Sequence, residues 1–414
     1  MDKMIVSVIG AGSVFTPELV LKFSESAPLT GPVSLRFYDI DRNRQELMIR
    51  FCRRLLAARD VKDVEITDCA DVRSCLDGAG FVLLQLRQGG IEARINDERL
   101  GKKYRLPFTE TISICGFATF LRTYYEYERL APLIIDAAPD AWVLNFTNPA
   151  GQLSETLWRL GVKKIAGVCN AYLGMESLIE RTLGLAPGGY VMNWRGLNHL
   201  TVVDGIYVNG QDRFPELLDR LPDDINHREL YLSLGAVLNG YYQYYFDRRE
   251  IVEKQQAQSK TRSELVAEID ENLLHEYDSS ISIPENLSKR GGAGYSSAVV
   301  DIIKAIRSGG GSVRYAVVKN GSSLPGLPQD AFVEVPALVN GNGLFPLAMG
   351  NLPPFAEALT LAVKTYERAL IKAAMGRDKR GMLESMMIHP LMNCFSVAKP
   401  LLDECLTVNA KYIR

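Results

Sequence analysis

The sequence contains no apolar run that approaches the roughly 20 residues needed to span a bilayer. It also lacks a basic segment followed by an apolar stretch, which is the pattern of a secretory signal. Internal repeats and low-complexity segments are absent as well. We therefore expect a globular protein that has no membrane partner.

Neither sign of charge dominates the chain. It has 47 Lys and Arg against 49 Asp and Glu, for a formal net charge of −2. A protein that binds nucleic acid through its backbone phosphates usually carries a clear excess of basic residues. The balance therefore argues against nucleic acid as a partner.

Cysteine is sparse, and its spacing does not suggest disulfides. The seven cysteines are odd in number and scattered, with no Cys-x-x-Cys pair. Small disulfide frameworks and structural zinc sites both need regular spacing. The pattern fits a reducing compartment, so we expect a cytoplasmic protein.

The length of 414 residues predicts two domains. The first half alternates short apolar runs with helical patterns, which is typical of a parallel α/β sheet. After His199 the pattern becomes less regular. We therefore expect a nucleotide-binding domain over residues 1–170 and a substrate domain over residues 171–414.

A phosphate-binding turn is predicted near the start of the chain. An apolar strand at 4–9 ends at Gly10, Gly12 and Ser13, and a helical pattern follows. The first glycine permits a tight turn, and the second lets a pyrophosphate approach the backbone at a helix N-terminus. The third glycine of the usual fingerprint is replaced by Phe15, so the turn alone is a weak signal.

A carboxylate follows the second predicted strand. Asp39 comes directly after the run at 33–38, where it can accept hydrogen bonds from an adenosine ribose. This position favours NAD over NADP. The alternative is that this acidic segment only caps the next helix, through Asp41.

Further polar side chains stand at the ends of later apolar strands. Arg87 follows the run at 81–86, Asn148 follows the run at 141–146, and Cys169 follows the run at 164–168. Ligands of open α/β sheets bind outside the carboxyl ends of the strands. We therefore expect these residues to face one crevice. Arg94 lies seven residues after Arg87, so both guanidinium groups could face one anion, although a solvated helix face explains them equally well.

Cys169 and His199 form a candidate metal site. His199 is one of only four histidines and follows the cysteine by about thirty residues. Thiolate and imidazole suit Zn²⁺, Mn²⁺ or Fe²⁺, and two protein ligands leave positions for substrate. The alternative is a buried free cysteine and a histidine satisfied by the backbone.

The second half contributes three further predictions. The runs at 200–203 and 206–208 suggest a hairpin. The aromatic stretch at 240–246 is typical of packing, yet Tyr241 within it could act as a base if a cation lowers its pKa. Arg290 opens a glycine-rich loop that suits an anion.

Taken together, these segments resemble the NAD- and Mn²⁺-dependent glycosidases of glycoside hydrolase family 4. The resemblance covers nearly the whole chain, and the Cys-Asn pair is similar to the 6-phospho-β-glucosidase branch. The segments that carry the resemblance, in order, are Gly10-Ala11-Gly12-Ser13, Arg87 with Gly89-Gly90, Asn96-Asp97-Glu98, Asn145-Phe146-Thr147-Asn148-Pro149, Cys169-Asn170, Gly196-Leu197-Asn198-His199, Arg290-Gly291-Gly292 and His389-Pro390-Leu391.

The resemblance implies a fold and a reaction. The fold is an N-terminal Rossmann-like, doubly wound parallel sheet with a C-terminal α+β substrate domain, as in lactate and malate dehydrogenases. The reaction proceeds by C3 oxidation, C2 deprotonation, elimination, water addition and re-reduction, unlike two-carboxylate hydrolysis. NAD and Mn²⁺, or another divalent metal, would be cofactors, and a homodimer or homotetramer is expected.

The resemblance also assigns roles to individual residues. Tyr241 would be the catalytic base, and Cys169 and His199 would hold the metal. The residues assigned to NAD are Gly10, Gly12, Ser13, Asp39, Arg87, Glu110 and Asn145. The residues assigned to an anionic sugar are Arg94, Asn148, Asn170 and Arg290.

Some segments depart from the family pattern. The segment at 109–116 keeps only Glu110, Thr111 and Gly116, while Ala171-Tyr172 and Tyr242 replace residues usual in the family. These changes put the substrate in doubt more than the mechanism. A glycosidase for a sugar with a C6 uronate or sulfonate, an NAD-dependent 2-hydroxy acid dehydrogenase and a non-catalytic sensor of NAD or sugar phosphate remain alternatives.

Overall fold

The computed structural model describes residues 2–291 and 294–413. Gly292, predicted as part of the anion-binding loop, lies outside the described residues. In the described part of the chain, no helix is both long enough and apolar enough to cross a membrane.

The described residues form fifteen strands and sixteen α-helices. The strands are β1 (Met4–Ile9), β2 (Val33–Tyr38), β3 (Val64–Asp68), β4 (Phe81–Leu84), β5 (Trp142–Asn145), β6 (Ile165–Gly167), β7 (Val191–Met192), β8 (Arg195–Leu197), β9 (Leu200–Val203), β10 (Ile206–Val208), β11 (Gln211–Asp212), β12 (Val237–Leu238), β13 (Ser312–Lys319), β14 (Phe332–Asn340) and β15 (Gly343–Pro346). The helices are α1 (Thr16–Thr30), α2 (Arg42–Ala57), α3 (Val72–Leu76), α4 (Gly90–Lys103), α5 (Ser113–Ala137), α6 (Ala150–Arg159), α7 (Ala171–Leu183), α8 (Phe214–Asp219), α9 (Arg228–Leu234), α10 (Gln243–Phe246), α11 (Arg248–Ala257), α12 (Arg262–Ser279), α13 (Tyr295–Ser308), α14 (Pro354–Met375), α15 (Lys379–Ile388) and α16 (Phe395–Val408). Two 3₁₀ turns cover Gly240–Tyr242 and Glu285–Arg290.

The first six strands form a parallel sheet in the order β3-β2-β1-β4-β5-β6. This is the strand order of a doubly wound dinucleotide-binding fold, so the predicted Rossmann-like domain is confirmed. Every residue of β4 is buried, as expected for a parallel strand covered by helices on both faces. The carboxyl ends of β1, β4, β5 and β6 therefore meet at one edge of the sheet.

The second half of the chain extends the same sheet. β13 pairs antiparallel with β6, where Val317 lies opposite Gly167, and the order continues β14-β8-β9-β12. One cluster of buried apolar side chains includes residues from both halves. The C-terminal half thus holds strands and helices around an antiparallel extension, while a domain boundary at residue 170 stays a prediction.

The hairpin predicted for the runs at 200–203 and 206–208 is wrong. β9 pairs with β8 and β12, whereas β10 belongs to a separate three-stranded sheet with β7 and β11. Alternating apolar residues identify both strands, but they do not say which partner each strand takes. The tight turn that matters for the site joins β8 to β9 and contains His199.

Helices from distant parts of the chain bring the Arg290 turn to the dinucleotide loop. α12 packs against α2 and α4, and the 3₁₀ turn over Glu285–Arg290 packs against α12. The Arg290 guanidinium consequently lies 5.4 Å from the centre of the Phe15 ring, at the start of α1. The crevice is therefore closed by residues far apart in the sequence.

Candidate active site

The loop after β1 is held in the conformation of a dinucleotide-binding turn. Gly10 has φ +95°, and a Cβ on it would lie 2.6 Å from the carbonyl oxygen of Gln85, so only glycine fits. The Gly12 amide donates to Asp39 Oδ2 at 2.8 Å. Helix α1 begins just after the loop, and Phe15 at its N-cap provides no side-chain cap. The close backbone and the uncapped helix end fit a pyrophosphate.

Asp39 is positioned by the backbone on both sides. Besides Gly12, the amide of Asp41 donates to its Oδ1 at 2.9 Å. Burial raises the pKa of Asp39, against the effect of these hydrogen bonds. Asp41 caps α2 through a bond to the Arg44 amide, so the Asp39 carboxylate is not needed for the helix cap.

Arg87 and Arg94 converge on one buried carboxylate. Arg87 Nη2 lies 3.0 Å from Glu110 Oε1, and Arg94 Nη1 lies 3.7 Å from the same atom. Arg94 Nε also lies 3.5 Å from Glu98 Oε1. Burial alone would raise the pKa of Glu110, but Arg94 and Arg87 hold it at about 2. Arg87 and Arg94 therefore form an arginine cluster at the crevice, and the two carboxylates of Glu98 and Glu110 balance their charge.

Arg290 belongs to the same charged region. Its Nε donates to Asp270 Oδ1 at 2.6 Å, and its positive charge helps to lower the pKa of Glu110. Arg262 donates to the carbonyls of Lys289 and Arg290 and so braces this turn. Residues predicted to bind NAD and residues predicted to bind an anionic sugar thus share one electrostatic cluster.

The structure brings Cys169 and His199 together. Cys169 Sγ lies 3.5 Å from His199 Nε2. Ligand bonds of about 2.3 Å to sulfur and 2.1 Å to nitrogen, at a tetrahedral angle, would place the two atoms about 3.6 Å apart. No group of three or more His, Cys, Asp or Glu in the described part of the chain could hold an ion. The pair therefore fits a metal that keeps open positions for substrate.

Thr111 orients the imidazole of His199. The Thr111 Oγ1 atom lies 2.7 Å from His199 Nδ1. If Nδ1 carries the ring proton and donates to Thr111, then Nε2 presents its lone pair to Cys169. Burial lowers the pKa of His199 to about 4, so the ring is neutral near pH 7. Both features suit a metal ligand, whereas burial raises the pKa of the Cys169 thiol, which would have to ionise on binding.

Tyr241 stacks on the imidazole. The two ring centres are 4.1 Å apart and the rings are 6° from parallel. Asn239 accepts from the Tyr241 amide at 3.1 Å and holds the 3₁₀ turn that carries the tyrosine. Burial, followed by the negative charge of Glu110, raises the pKa of Tyr241. In the chain by itself this tyrosine is therefore a protonated phenol.

A polar relay behind the cysteine was missed by sequence reasoning. Asn198 hydrogen-bonds to the Cys169 sulfur, and its Nδ2 donates to Glu334 Oε2 at 2.9 Å. Trp194 Nε1 donates to the other oxygen of Glu334 at 2.7 Å. Glu334 is 1% exposed on β14, and burial raises its pKa to about 7. A single acidic residue inside the apolar run of β14 was the available signal.

Tyr295 was also missed, although it directly follows the glycine-rich loop. Its side chain hydrogen-bonds to Asn148 and lies near Cys169, Glu110 and Tyr241. The ring packs edge-on against Phe146, with 5.5 Å between centres. Asn148, predicted to contact the sugar, is thus tied to the same cluster.

Asn145 does not present its side chain to the crevice. It is fully buried, its Oδ1 accepts from Tyr127 Oη at 2.5 Å and from the Thr147 amide, and its Nδ2 donates to Ser154 Oγ. This arrangement does not support the predicted cofactor contact, because the amide is used to hold the turn after β5. Asn170 stands directly after Cys169, at the start of α7, next to the candidate metal ligands.

Known proteins match this chain over nearly its whole length. A family model described as "Family 4 glycosyl hydrolase" matches residues 5–185, and the model of the family's C-terminal domain matches residues 194–392. The chain is 31% identical to the 6-phospho-β-glucosidase of Thermotoga maritima, covering 99% of this chain and 100% of that protein. It is 30% identical to a probable 6-phospho-β-glucosidase of Bacillus subtilis, covering 99% and 97%.

Solved structures give the same result. A structure of the Thermotoga maritima 6-phospho-β-glucosidase with NAD and glucose 6-phosphate has a TM-score of 0.94 at 30% identity, covering 99% of this chain and 100% of that one. Another, with manganese, NAD⁺ and glucose 6-phosphate, has a TM-score of 0.93. Malate dehydrogenase of Cryptosporidium parvum, at 15% identity and a TM-score of 0.57, covering 91% of this chain and all of that one, shares the fold alone.

Proposed function

Because the chain belongs to family 4 of the glycosyl hydrolases, we propose that it is a 6-phospho-β-glucosidase that uses NAD and a divalent metal ion. The observation that carries the proposal is the contact of three side chains at the crevice. Cys169 lies 3.5 Å from His199, and the ring of Tyr241 is stacked on the His199 imidazole. The relatives at 30–31% identity, and the NAD, manganese and glucose 6-phosphate bound in one of them, support it.

The predicted site residues other than Asn145 each have a proposed place in this activity. Gly10, Gly12, Ser13 and Asp39 would hold NAD at the end of β1 and β2, and Cys169 and His199 would hold the metal. When bound, NAD⁺ supplies a hydride acceptor, and a divalent ion supplies Lewis acidity to the neighbouring sugar oxygens. Every other part of the reaction falls to the chain's own side chains.

Tyr241 would accept the proton from C2 of the sugar. A phenol with a raised pKa is a poor base at neutral pH, so the protein must favour its phenolate during turnover. Because Tyr241 stacks on His199, it lies next to the proposed site of the metal ion, whose positive charge would favour the phenolate. Once C2 has lost its proton, the bond from C1 to the aglycone oxygen breaks, a C1–C2 double bond forms, and the aglycone leaves with a proton taken up from solvent. Water then adds across that double bond, with its hydroxyl at C1 and a proton at C2.

The anionic end of the substrate would lie at the arginine cluster. Arg94 and Arg290 would bind the 6-phosphate, because both guanidinium groups lie at the crevice near Glu110. Each would exchange part of its contact with Glu98 or Asp270 for the phosphate. A planar guanidinium suits a phosphate better than an ammonium group does. Asn148 and Asn170 would contact the sugar hydroxyls at the ends of β5 and β6. Arg87 would stay with Glu110 on the cofactor side.

The test is release of p-nitrophenol from p-nitrophenyl β-glucoside 6-phosphate, with NAD⁺ and Mn²⁺ each present or withheld. We expect release only when both are present, without net formation of NADH, because the hydride is returned. A dehydrogenase would instead accumulate NADH in proportion to substrate. Turnover of the β-glucuronide or the sulfoquinovoside alone would move the substrate to another C6 anion and contradict the phosphate.

Three variants test the residue roles. Cys169→Ser and His199→Ala should each abolish metal-dependent release, and each should weaken Mn²⁺ binding in a direct titration. Tyr241→Phe should abolish release while leaving NAD affinity within about twofold of wild type, because the ring and its stacking remain. Full activity of the Cys169→Ser protein after removal of metal, with no metal added again, would contradict the assignment of Cys169 as a metal ligand.

The assembly and location are further proposals. Apolar side chains are exposed on the antiparallel half, including Leu338, Phe345 and Leu361, which supports a homodimer or homotetramer. Six of the seven free cysteines are buried, and their scatter supports a cytoplasmic location. Light scattering on the purified protein would decide between a monomer and an oligomer.

A further inference from the structure

A cavity of about 470 Å³ lies beside the ring of Tyr241, the proposed catalytic base. Its walls include Tyr241 and Thr109, which directly precedes Glu110, and Ala171, which directly follows Asn170. Tyr241, the proposed base for the sugar, therefore forms part of the wall of this cavity. Its lining residues are Thr109, Ala171, Gly174, Met175, Leu178, Trp194, Ile225, Tyr231, Val237, Leu238, Asn239, Gly240, Tyr241, Gln243 and Tyr244.

The lining differs in charge from the rest of the crevice. Among the described residues that line the cavity, none is Asp, Glu, Lys, Arg or His, although the arginine cluster lies close by. Its volume is in the range of small-molecule pockets, about 300–1,000 Å³. A cavity of this kind is unsuited to the phosphate end of a substrate and suits an uncharged group.

The polar groups on the lining are largely occupied by the protein itself. Asn239 uses its Oδ1 for the Tyr241 amide and its Nδ2 for Thr201 Oγ1. Gln243 Nε2 donates to the Gly240 carbonyl at 2.7 Å. Trp194 donates its only N–H to Glu334. A second sugar placed here would bury hydroxyl groups with few partners, at about 1–3 kcal/mol for each unsatisfied group.

The remaining wall is aliphatic and aromatic. Met175 and Leu178 come from α7, and Tyr231 donates its hydroxyl to the Leu238 carbonyl, so it presents mainly its ring. Thr109 and Tyr244 hydrogen-bond to each other. Flat apolar groups gain most from such surfaces, because they lose no hydrogen bonds to water on entering.

We propose that this cavity is the aglycone site, and that it selects an aryl or other apolar aglycone over a second sugar. The proposal rests on the proposed function, since the cavity gains its meaning from a glycone held between Tyr241 and the arginine cluster. It adds the chemical class of the leaving group, which neither the arginine cluster nor the metal pair specifies.

Gly174 offers a way to fill the cavity without disturbing the fold. It lies within α7, its φ is not positive, and a Cβ built on it meets no heavy atom within 4 Å. Glycine inside a helix is unfavourable relative to other residues, so Gly174→Leu should not destabilise α7. The matched control is Ser177→Leu, an exposed position on the same helix that does not line the cavity.

Binding is measured with C-glycosides, because a carbon–carbon bond to the aglycone cannot be cleaved and leaving-group reactivity plays no part. The probes are the 6-phosphates of methyl, phenyl and glucosyl β-C-glucosides, titrated by calorimetry into protein containing NAD⁺ and Mn²⁺. We expect the phenyl probe to bind at least tenfold more tightly than the methyl and glucosyl probes. Gly174→Leu should remove that advantage and leave methyl binding within about twofold, and Ser177→Leu should change neither.

The outcomes separate the two proposals. Equal or tighter binding of the glucosyl probe, or an unchanged phenyl advantage in Gly174→Leu, would overturn the aglycone assignment while leaving the 6-phospho-β-glucosidase proposal intact. Failure of all three probes to bind the wild-type protein would overturn the proposed function, and this inference with it.

Discussion

Glu334→Gln tests whether the relay behind Cys169 tunes the metal site. Glu334 has two acceptor oxygens, one for Trp194 at 2.7 Å and one for Asn198 at 2.9 Å. Glutamine has almost the same shape but only one acceptor, so its NH₂ group must face one of two N–H donors. At 1% exposure no bulk water can replace the lost partner.

The magnitude follows from that mismatch. A buried donor left without an acceptor costs about 1–3 kcal/mol. The strain is relieved if Asn198 turns its amide, but then its N–H no longer points to the Cys169 sulfur. The substitution also removes a negative charge near a bound cation. Loss of such outer-shell contacts typically weakens metal binding by about 10–100-fold, which is about 1.4–2.7 kcal/mol.

The assay is titration of Mn²⁺ followed by the electron paramagnetic resonance signal of the free ion, at pH 8. The control is Glu65→Gln on β3, an exposed carboxylate at the opposite edge of the sheet that pairs with Lys3. We expect weaker binding only in Glu334→Gln, with a lower free energy of unfolding in urea as well. A folded Glu334→Gln protein that binds Mn²⁺ within twofold of wild type would refute the relay.

Substitutions at three further residues test the remaining geometry. Thr111→Val should lower Mn²⁺ affinity about tenfold by releasing His199 Nδ1, and Thr111→Ser should restore it; equal affinities in all three proteins would contradict the orienting bond. Asp39→Asn should reduce the preference for NAD over NADP about tenfold in fluorescence titrations, because a ribose acceptor and a charge that repels the 2′-phosphate are lost; an unchanged ratio would remove Asp39 from the ribose site. Burial lowers the pKa of His389 to about 3, so its neutral ring contributes stability above pH 6.5 that is lost on acidification. The advantage of wild type over His389→Gln in urea unfolding should therefore shrink by about 1.4 kcal/mol between pH 7.5 and pH 5.5, and a constant difference would contradict it.

The local elements of this fold could be predicted from the sequence because each carries its own signal. The apolar runs that became β1, β2, β4, β5 and β6 are short, continuous and bounded by polar residues, and their carboxyl ends marked the crevice. The partners of β9 and β10 were wrong because pairing depends on strands far away in the chain. The register and the order of the strands depend on long-range packing, and a local sequence pattern does not predict that packing.

The same distinction applies to the site. Cys169 and His199 were predicted as a pair because chemistry restricts which residues bind metals, and the structure brings their side chains within 3.5 Å of each other. Glu334 was missed because it acts through Asn198 and lies on β14, far along the chain. Asn145 is assigned to the cofactor by the family resemblance, and it stands at the end of a strand, where its amide hydrogen-bonds to Tyr127 and Ser154. A position at the end of a strand predicts that a residue lies near the crevice. It does not predict whether the side chain is used for hydrogen bonds within the protein.

The stacking of Tyr241 on His199 places the phenol near the Cys169–His199 pair, and this nearness offers a way for a phenol with a raised pKa to serve as a base. At an effective dielectric constant of about 20, a unit positive charge stabilises a negative one by about 4 kcal/mol at about 4 Å and by about 2 kcal/mol at about 8 Å. Positive charge held at the Cys169–His199 pair would therefore favour the phenolate strongly, whereas the same tyrosine stays protonated without it. In this arrangement the Tyr241 phenolate would form only when a metal ion is bound at the Cys169–His199 pair. A sugar bound to the metal-free protein would therefore keep its C2 proton.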